Sequence, residues 1–136
     1  MSTDLRIRFD DSFDKLIDEL RELPYFEDNA SVAVFAASYG FSQNERLRRK
    51  RGSRDVRVNV LLGYPGALEL MTSFALISAL QDGETKIEDL DMVQKARLTE
   101  EYANGGLALL KQIRSTGQVM SVAIPSLINK HFLGTK

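Results

Sequence analysis

The 136-residue chain has no cysteine and a single histidine, His131. Without cysteine there are no disulfides, no thiolate metal sites and no thiol nucleophile, a composition that fits a reducing compartment. One histidine cannot build a multi-histidine metal centre, and this close to a terminus it reads as a surface or packing residue. Long apolar runs are missing too. The longest, around Phe74 to Leu80, falls far short of the ~20 residues that cross a bilayer. The N-terminus is polar and acidic where a signal peptide needs a basic start and an apolar block. The expectation is a cytoplasmic protein without membrane contact. The phosphate-binding patterns G-x-x-x-x-G-K-[ST] and G-x-G-x-x-G and the zinc pattern H-E-x-x-H do not occur, so no cofactor, metal site or catalytic residue is expected.

What is present is an ordinary composition, 43% hydrophobic and 27% charged, suited to one compact domain over residues 1–136. Its organising stretch runs from Asp28 to Phe41. Asn29 is a candidate cap, Ala33, Ala36 and Ala37 leave little side chain between backbone and neighbours, and Gly40 is the residue type favoured just past a helix end. Val32, Val34, Phe35, Tyr39 and Phe41 place bulk on more than one side. A helix over 29–39 that is apolar nearly all round belongs in the middle of the domain.

Around it, Leu5-Arg6-Ile7-Arg8-Phe9 alternates as a half-buried strand (5–9), and Asp10 or Asp11 can cap a helix over 11–23 that ends at Pro24. Val56, Val58 and Val60 alternate and run into Leu61 and Leu62, a second strand over 56–62, stopped by Gly63 and Pro65-Gly66. A broad apolar face predicts a helix over 66–81, closed by Asp82-Gly83. Lys86 to Leu98 reads as a shorter helix or two turns. Thr99 can then cap a helix over 99–115, with Glu100 and Glu101 in its first turn and Lys111 and Arg114 near its end, as the helix dipole favours.

Gly105 and Gly106 inside that helix each cost about 1 kcal/mol relative to alanine. Close approach of another backbone, such as the alanine-rich helix, would offset this; a turn at Asn104-Gly105 is the competing reading, and the spacing of Tyr102, Leu109, Leu110 and Ile113 favours a continuous helix. After Gly117 an apolar segment is interrupted by Pro125, and Leu127, Ile128, Phe132 and Leu133 allow a further turn or two. The predicted fold is α+β and mainly helical. Four to five helices pack around a two- to three-stranded sheet, with 1–4 as a tail, 42–54 as an exposed basic loop and 117–136 as a C-terminal extension. The apolar residues of that extension leave room for a homo-oligomer.

The net charge of −1 hides a polarised distribution. Arg46, Arg48, Arg49, Lys50, Arg51, Arg54 and Arg57 stand against the single acid Asp55, about +6 over a dozen residues, which leaves about −7 for the remainder. Guanidinium groups donate to phosphate in a planar fork, and a basic loop orients a protein on a polyanion by releasing counterions. No aromatics are interleaved, so base stacking is not indicated. Contact with nucleic acid and docking on an acidic protein surface weigh equally, against a plain solvated loop.

Two other arrangements bear on function. A strand followed by two helices, with Arg6 and Arg8 on one strand face, has the element order of a ribbon-helix-helix DNA-binding regulator, which would require an obligate dimer with paired N-terminal strands. Asp82, Glu84 and Lys86 spell the acid, acid-x-lysine order of magnesium-dependent nucleases, but a turn between two helices is a poor place for it, and solvated loop charges are the simpler account.

The blocks Ser31-Val32-Ala33-Val34-Phe35-Ala36-Ala37-Ser38-Tyr39-Gly40-Phe41 and Glu100-Glu101-Tyr102-Ala103-Asn104-Gly105-Gly106-Leu107, with an arginine-rich loop and an apolar strand between them, resemble the dnd (DNA phosphorothioation) system-associated protein 4 family. The resemblance spans about residues 30 to 115. It implies a bacterial accessory protein, not an enzyme, in a DNA sulphur-modification and restriction system that acts against foreign DNA, with DNA or other defence-complex components as partners. It carries no catalytic residues across.

Overall fold

The computed structural model describes residues 4–83 and 86–131. Two short strands, β1 (Arg6–Arg8) and β2 (Asp55–Arg57), accompany helices α1 (Asp14–Arg21), α2 (Asn29–Ser42), α3 (Val58–Leu61), α4 (Ala67–Asp82), α5 (Met92–Ser115) and α6 (Met120–His131). Single 3-10 turns cover Asp11–Phe13 and Ile87–Asp89. The protein is mainly helical with a small sheet, as the sequence suggests. The helices, however, pack chiefly on one another: α2 lies along α5 and also meets α1, α3, α4 and β2, while the two strands sit at one side.

The central helix starts at Asn29, but its cap is Asp28 rather than Asn29. The Asp28 carboxylate accepts from the Ser31 amide at 2.8 Å while Ser31 Oγ accepts from the Asp28 amide at 3.3 Å, a reciprocal capping box. Tyr64 donates its hydroxyl to the same carboxylate at 2.6 Å. Burial pushes the Asp28 carboxyl up, but the Tyr64 and Ser31 hydrogen bonds outweigh it and hold the group below its ordinary value. At the far end the helix runs on to Ser42, so Gly40 lies inside it rather than past its end. Gly40 faces α5 so closely that a Cβ there would overlap the Tyr102 carbonyl oxygen and stand 2.9 Å from the Gly106 nitrogen.

The two segments expected over 86–98 and 99–115 include one unbroken helix, α5. Asp91 caps it by accepting from the Gln94 amide at 2.9 Å, and Thr99 is a buried interior residue whose hydroxyl donates to the Lys95 carbonyl at 2.8 Å. A threonine that satisfies its hydroxyl on the preceding turn need not end or begin a helix. Glu100 and Glu101 therefore lie in the helix interior. The glycine pair is helical, and a Cβ on Gly106 would overlap the Ala36 carbonyl of α2. The alanine-rich helix is the backbone that approaches.

β1 and β2 pair antiparallel with Arg6 opposite Arg57, Ile7 opposite Val56 and Arg8 opposite Asp55. The second strand is shorter than the expected 56–62. The Val58 amide reaches the Leu5 carbonyl at 2.9 Å, and beyond this β1 offers no further partner. Val58–Leu61 satisfies its backbone as a helical turn instead, with the Leu62 amide on the Val58 carbonyl at 2.8 Å. Val58 and Leu61, three residues apart, are both buried, whereas Val60 turns outward. Pro125 also fails to interrupt: α6 passes through it, with Met120, Ala123 and Ile124 fully buried. The expected turn at Phe132 and Leu133 lies outside the described residues. Buried side chains from both strands and all six helices belong to one apolar cluster or pack against it.

Candidate functional site

The residues between α2 and β2 form an ordered strap across α5 and the chain leaving β1. Its backbone is tied down at five points: Glu45 amide to Gly40 carbonyl at 2.8 Å, Leu47 amide to Glu101 carbonyl at 2.9 Å, Lys50 amide to the Asp10 carboxylate at 2.8 Å, Asp11 amide to Arg51 carbonyl at 2.7 Å, and Phe9 amide to Arg54 carbonyl at 3.0 Å. Two glycines make the fit possible. A Cβ on Gly105 would overlap the Glu45 carbonyl, and a Cβ on Gly52 would overlap the Phe9 carbonyl.

Two buried polar residues hold the supporting layer. Asn104, fully buried on α5, accepts from the Asp10 amide at 2.8 Å and donates to the Arg8 and Glu100 carbonyls at 3.0 and 2.9 Å. Asp10 accepts from the Lys50 amide and from the amide and hydroxyl of Ser12. Burial alone would push the Asp10 carboxyl up. The hydrogen bonds from Lys50 and Ser12 win and hold it at about 2.

The structure divides the seven basic residues of this segment by partner. Arg46 lies 3.9 Å from Glu101, with its guanidinium 5.8 Å above the Tyr102 ring, and Arg49 lies 3.9 Å from Glu100. Arg54 turns back onto α1, where it grips Asp18 at 2.7 and 3.3 Å and stands 3.4 Å from Asp14. That contact raises the Arg54 pKa and lowers that of Asp18. Arg57, on β2, is exposed 4.0 Å from Asp4. Arg48, Lys50 and Arg51 are exposed and have no ion-pair partner among the described residues. The cluster of seven thus contains three exposed cations within four residues, around the inward Arg49, on a fixed backbone.

The sequence pattern missed two contributors. Glu100 and Glu101 neutralise part of the strap because the strap crosses α5 beside them, a contact between distant residues that residue order does not show. Arg8 is an exposed cation without an ion pair among the described residues, on the strand whose continuation the strap pairs with. The alternation over 5–9 puts it outward, and a sheet of 5–9 with the strand after the strap brings it near, but the bonds that lay the strap along Phe9 and Asp11 carry no sequence signal.

The ribbon arrangement is not what this chain builds. One edge of β1 is paired with β2, and the other is occupied by α5: Glu100 Oε1 accepts from the Arg8 amide at 2.7 Å and Asn104 takes the Arg8 carbonyl. Arg6 is engaged by Asp4 and Asp55 at 3.0 Å each. At Arg8, therefore, the edge of β1 that a second copy's strand would need is already taken. Of the acid, acid-x-lysine set, Asp82 closes α4 and Lys86 follows the turn, while Glu84 lies outside the described residues. Among the described residues no group of three His, Cys, Asp or Glu side chains could hold a metal ion, and no helix is long and apolar enough to cross a membrane.

Neither a curated protein nor a solved structure matches the chain. The family model for DNA sulphur modification system-associated protein 4 does, over residues 6–132. That span takes in α1 and α6 as well as the two sequence blocks, the strap and the glycine pair. The chain belongs to the DNA sulphur modification system-associated protein 4 family.

Proposed function

We propose that this protein is a non-enzymatic accessory of a bacterial DNA phosphorothioation and defence system that contacts the DNA backbone through the strap. The observation that carries the reading is the set Arg48, Lys50 and Arg51, exposed and without an ion pair among the described residues on a backbone fixed at both sides. A row of cations whose backbone does not have to be ordered on binding loses less entropy than a free tail, and phosphate needs no other chemistry to be held. Arg46 and Arg49, only loosely engaged at 3.9 Å, are available to turn outward toward a polyanion. Interleaving of Glu100 and Glu101 with these arginines supports a second reading, docking on a protein component of the same system through complementary charges.

The test is DNA binding across a salt series for the wild type and for a variant with Arg48, Arg49, Lys50 and Arg51 changed to alanine. Each phosphate contact adds about 0.9 to the log–log salt slope on duplex DNA, so the variant is expected to bind more weakly with a slope shallower by about 3. Wild-type binding that is absent at low salt overturns the DNA reading. The strap then becomes the bait for an acidic partner protein.

A further inference from the structure

The sequence of α4 is apolar on every side, yet the helix covers only part of itself. Met71, Phe74, Ala75, Ser78 and Ala79 are buried against the body of the protein. On the opposite side Leu70 is 37% exposed, Ile77 38% and Leu80 66%, with Ser73 exposed between them. A helix that faces water on one side ordinarily carries charge there. Among the described residues this face has one ionisable group, Glu69, at its N-terminal end.

We infer that a second copy of this chain covers the face, with the two α4 helices packed antiparallel about a two-fold axis level with residue 75. The spacing 70, 73, 77, 80 reads the same in both directions. Antiparallel pairing about that level sets Leu70 opposite the partner copy's residue 80 and Ser73 opposite its residue 77, so a small side chain meets a large one in the middle and leucines close each end. The charge pattern selects the same arrangement. Antiparallel pairing carries the two Glu69 carboxylates to opposite ends, each beside an uncharged glutamine at position 81, whereas parallel pairing would bring them side by side. The face has no cation to attract an acidic partner and too little acid to attract a basic one, which leaves an uncharged face like itself. β1 plays no part, so this dimer is unlike the ribbon arrangement, and it is independent of DNA contact by the strap.

A stripe of four positions buries less than the ~800 Å² per partner of a standard interface, so association is expected in the micromolar range. Sedimentation equilibrium over about 1 to 500 µM tests it. The wild type is expected to pass from monomer to dimer, and Leu80→Glu, an exposed change that leaves the melting curve in place, to shift that transition at least about tenfold upward in concentration. Mixing tests the register. Ser73→Lys and Ile77→Glu chains are each expected to self-associate less than the wild type, and an equimolar mixture of the two to recover a heterodimer, because position 73 of one faces position 77 of the other. A wild type that stays monomeric, or a dimer indifferent to Leu80→Glu, overturns the interface. Single variants that weaken the dimer without recovery on mixing overturn the antiparallel register.

Discussion

Gly106 of α5 and Ala36 of α2 lie backbone against backbone, close enough that a Cβ on Gly106 would overlap the Ala36 carbonyl oxygen and stand 3.1 Å from the Gly40 nitrogen. Helix propensity and packing therefore make opposite forecasts for Gly106→Ala. Propensity alone gives a gain of about 1 kcal/mol. Separating two central helices gives a loss of roughly 3 kcal/mol, at the upper end of overpacking effects. Packing should win, because neither backbone can rotate away as a side chain would. Urea unfolding of the variant is expected to show a lower midpoint, and an unchanged or raised midpoint would remove the close-approach account of the glycine pair.

Asn104→Ala tests the buried amide. It leaves the Asp10 amide and the Arg8 carbonyl without their partner, and each unsatisfied buried group costs about 1–3 kcal/mol. A loss of about 3 kcal/mol is expected. Asn104→Asp keeps an acceptor for Asp10 but replaces the one amide nitrogen that donates to both the Arg8 and Glu100 carbonyls by an oxygen facing them, so near neutral pH it should be at least as damaging. Thermal melts of the two variants side by side separate these terms. If aspartate is tolerated and alanine is not, the donors carry less than the geometry implies.

Asp10 gives a pH dependence with a definite sign. Its carboxyl sits at about 2 in the folded protein against an ordinary 3.8. A depressed folded value means that the unfolded chain binds the proton first. The contribution to stability is thus complete above about pH 5 and is lost as the pH falls through the range from about 4 to 2, amounting to roughly 2 kcal/mol. In Asp10→Asn this share is missing at neutral pH and the acid limb is flatter. Unfolding free energies at pH 7 and pH 3 for both proteins are the measurement; parallel acid limbs would place the titrating group elsewhere.

Much of this architecture is legible in residue order because local and tertiary preferences agree. The alternation of Leu5 to Phe9, the amphipathic α1 and the closure of α4 at Gly83, with its φ of 70°, all match their surroundings. The readings that failed are those in which a partner decides. Val58 to Leu62 has strand composition, but β1 is too short to pair with it. Gly40 resembles a helix terminator and is a contact point between helices. Thr99 resembles a cap until Lys95 is seen to take its hydroxyl. For the candidate site, the run of basic residues is plain in the sequence. Its division into paired and unpaired cations is not, because Glu100, Glu101, Asp14 and Asp18 are brought to it from helices up to about fifty residues away in sequence.

Gly52→Ala separates the arrangement of the cations from their number. The added Cβ would overlap the Phe9 carbonyl, next to the hydrogen bonds that join Arg51 to Asp11 and Arg54 to Phe9. Relief requires the strap to lift from the end of β1, and since the strap is at the surface the global loss should stay near 1–2 kcal/mol. Every charge remains. If the strap binds DNA as a preorganised row, affinity should fall about three- to tenfold, because ordering the loosened segment now opposes binding. Amide exchange at Asp11 should speed up in the same variant, which reports the lifting independently of any ligand. Faster exchange with unchanged DNA affinity would mean that the cations act as a flexible tail. Slowed or unchanged exchange would mean that the strap accommodates the methyl group, and the close contact at Gly52 would lose its structural role.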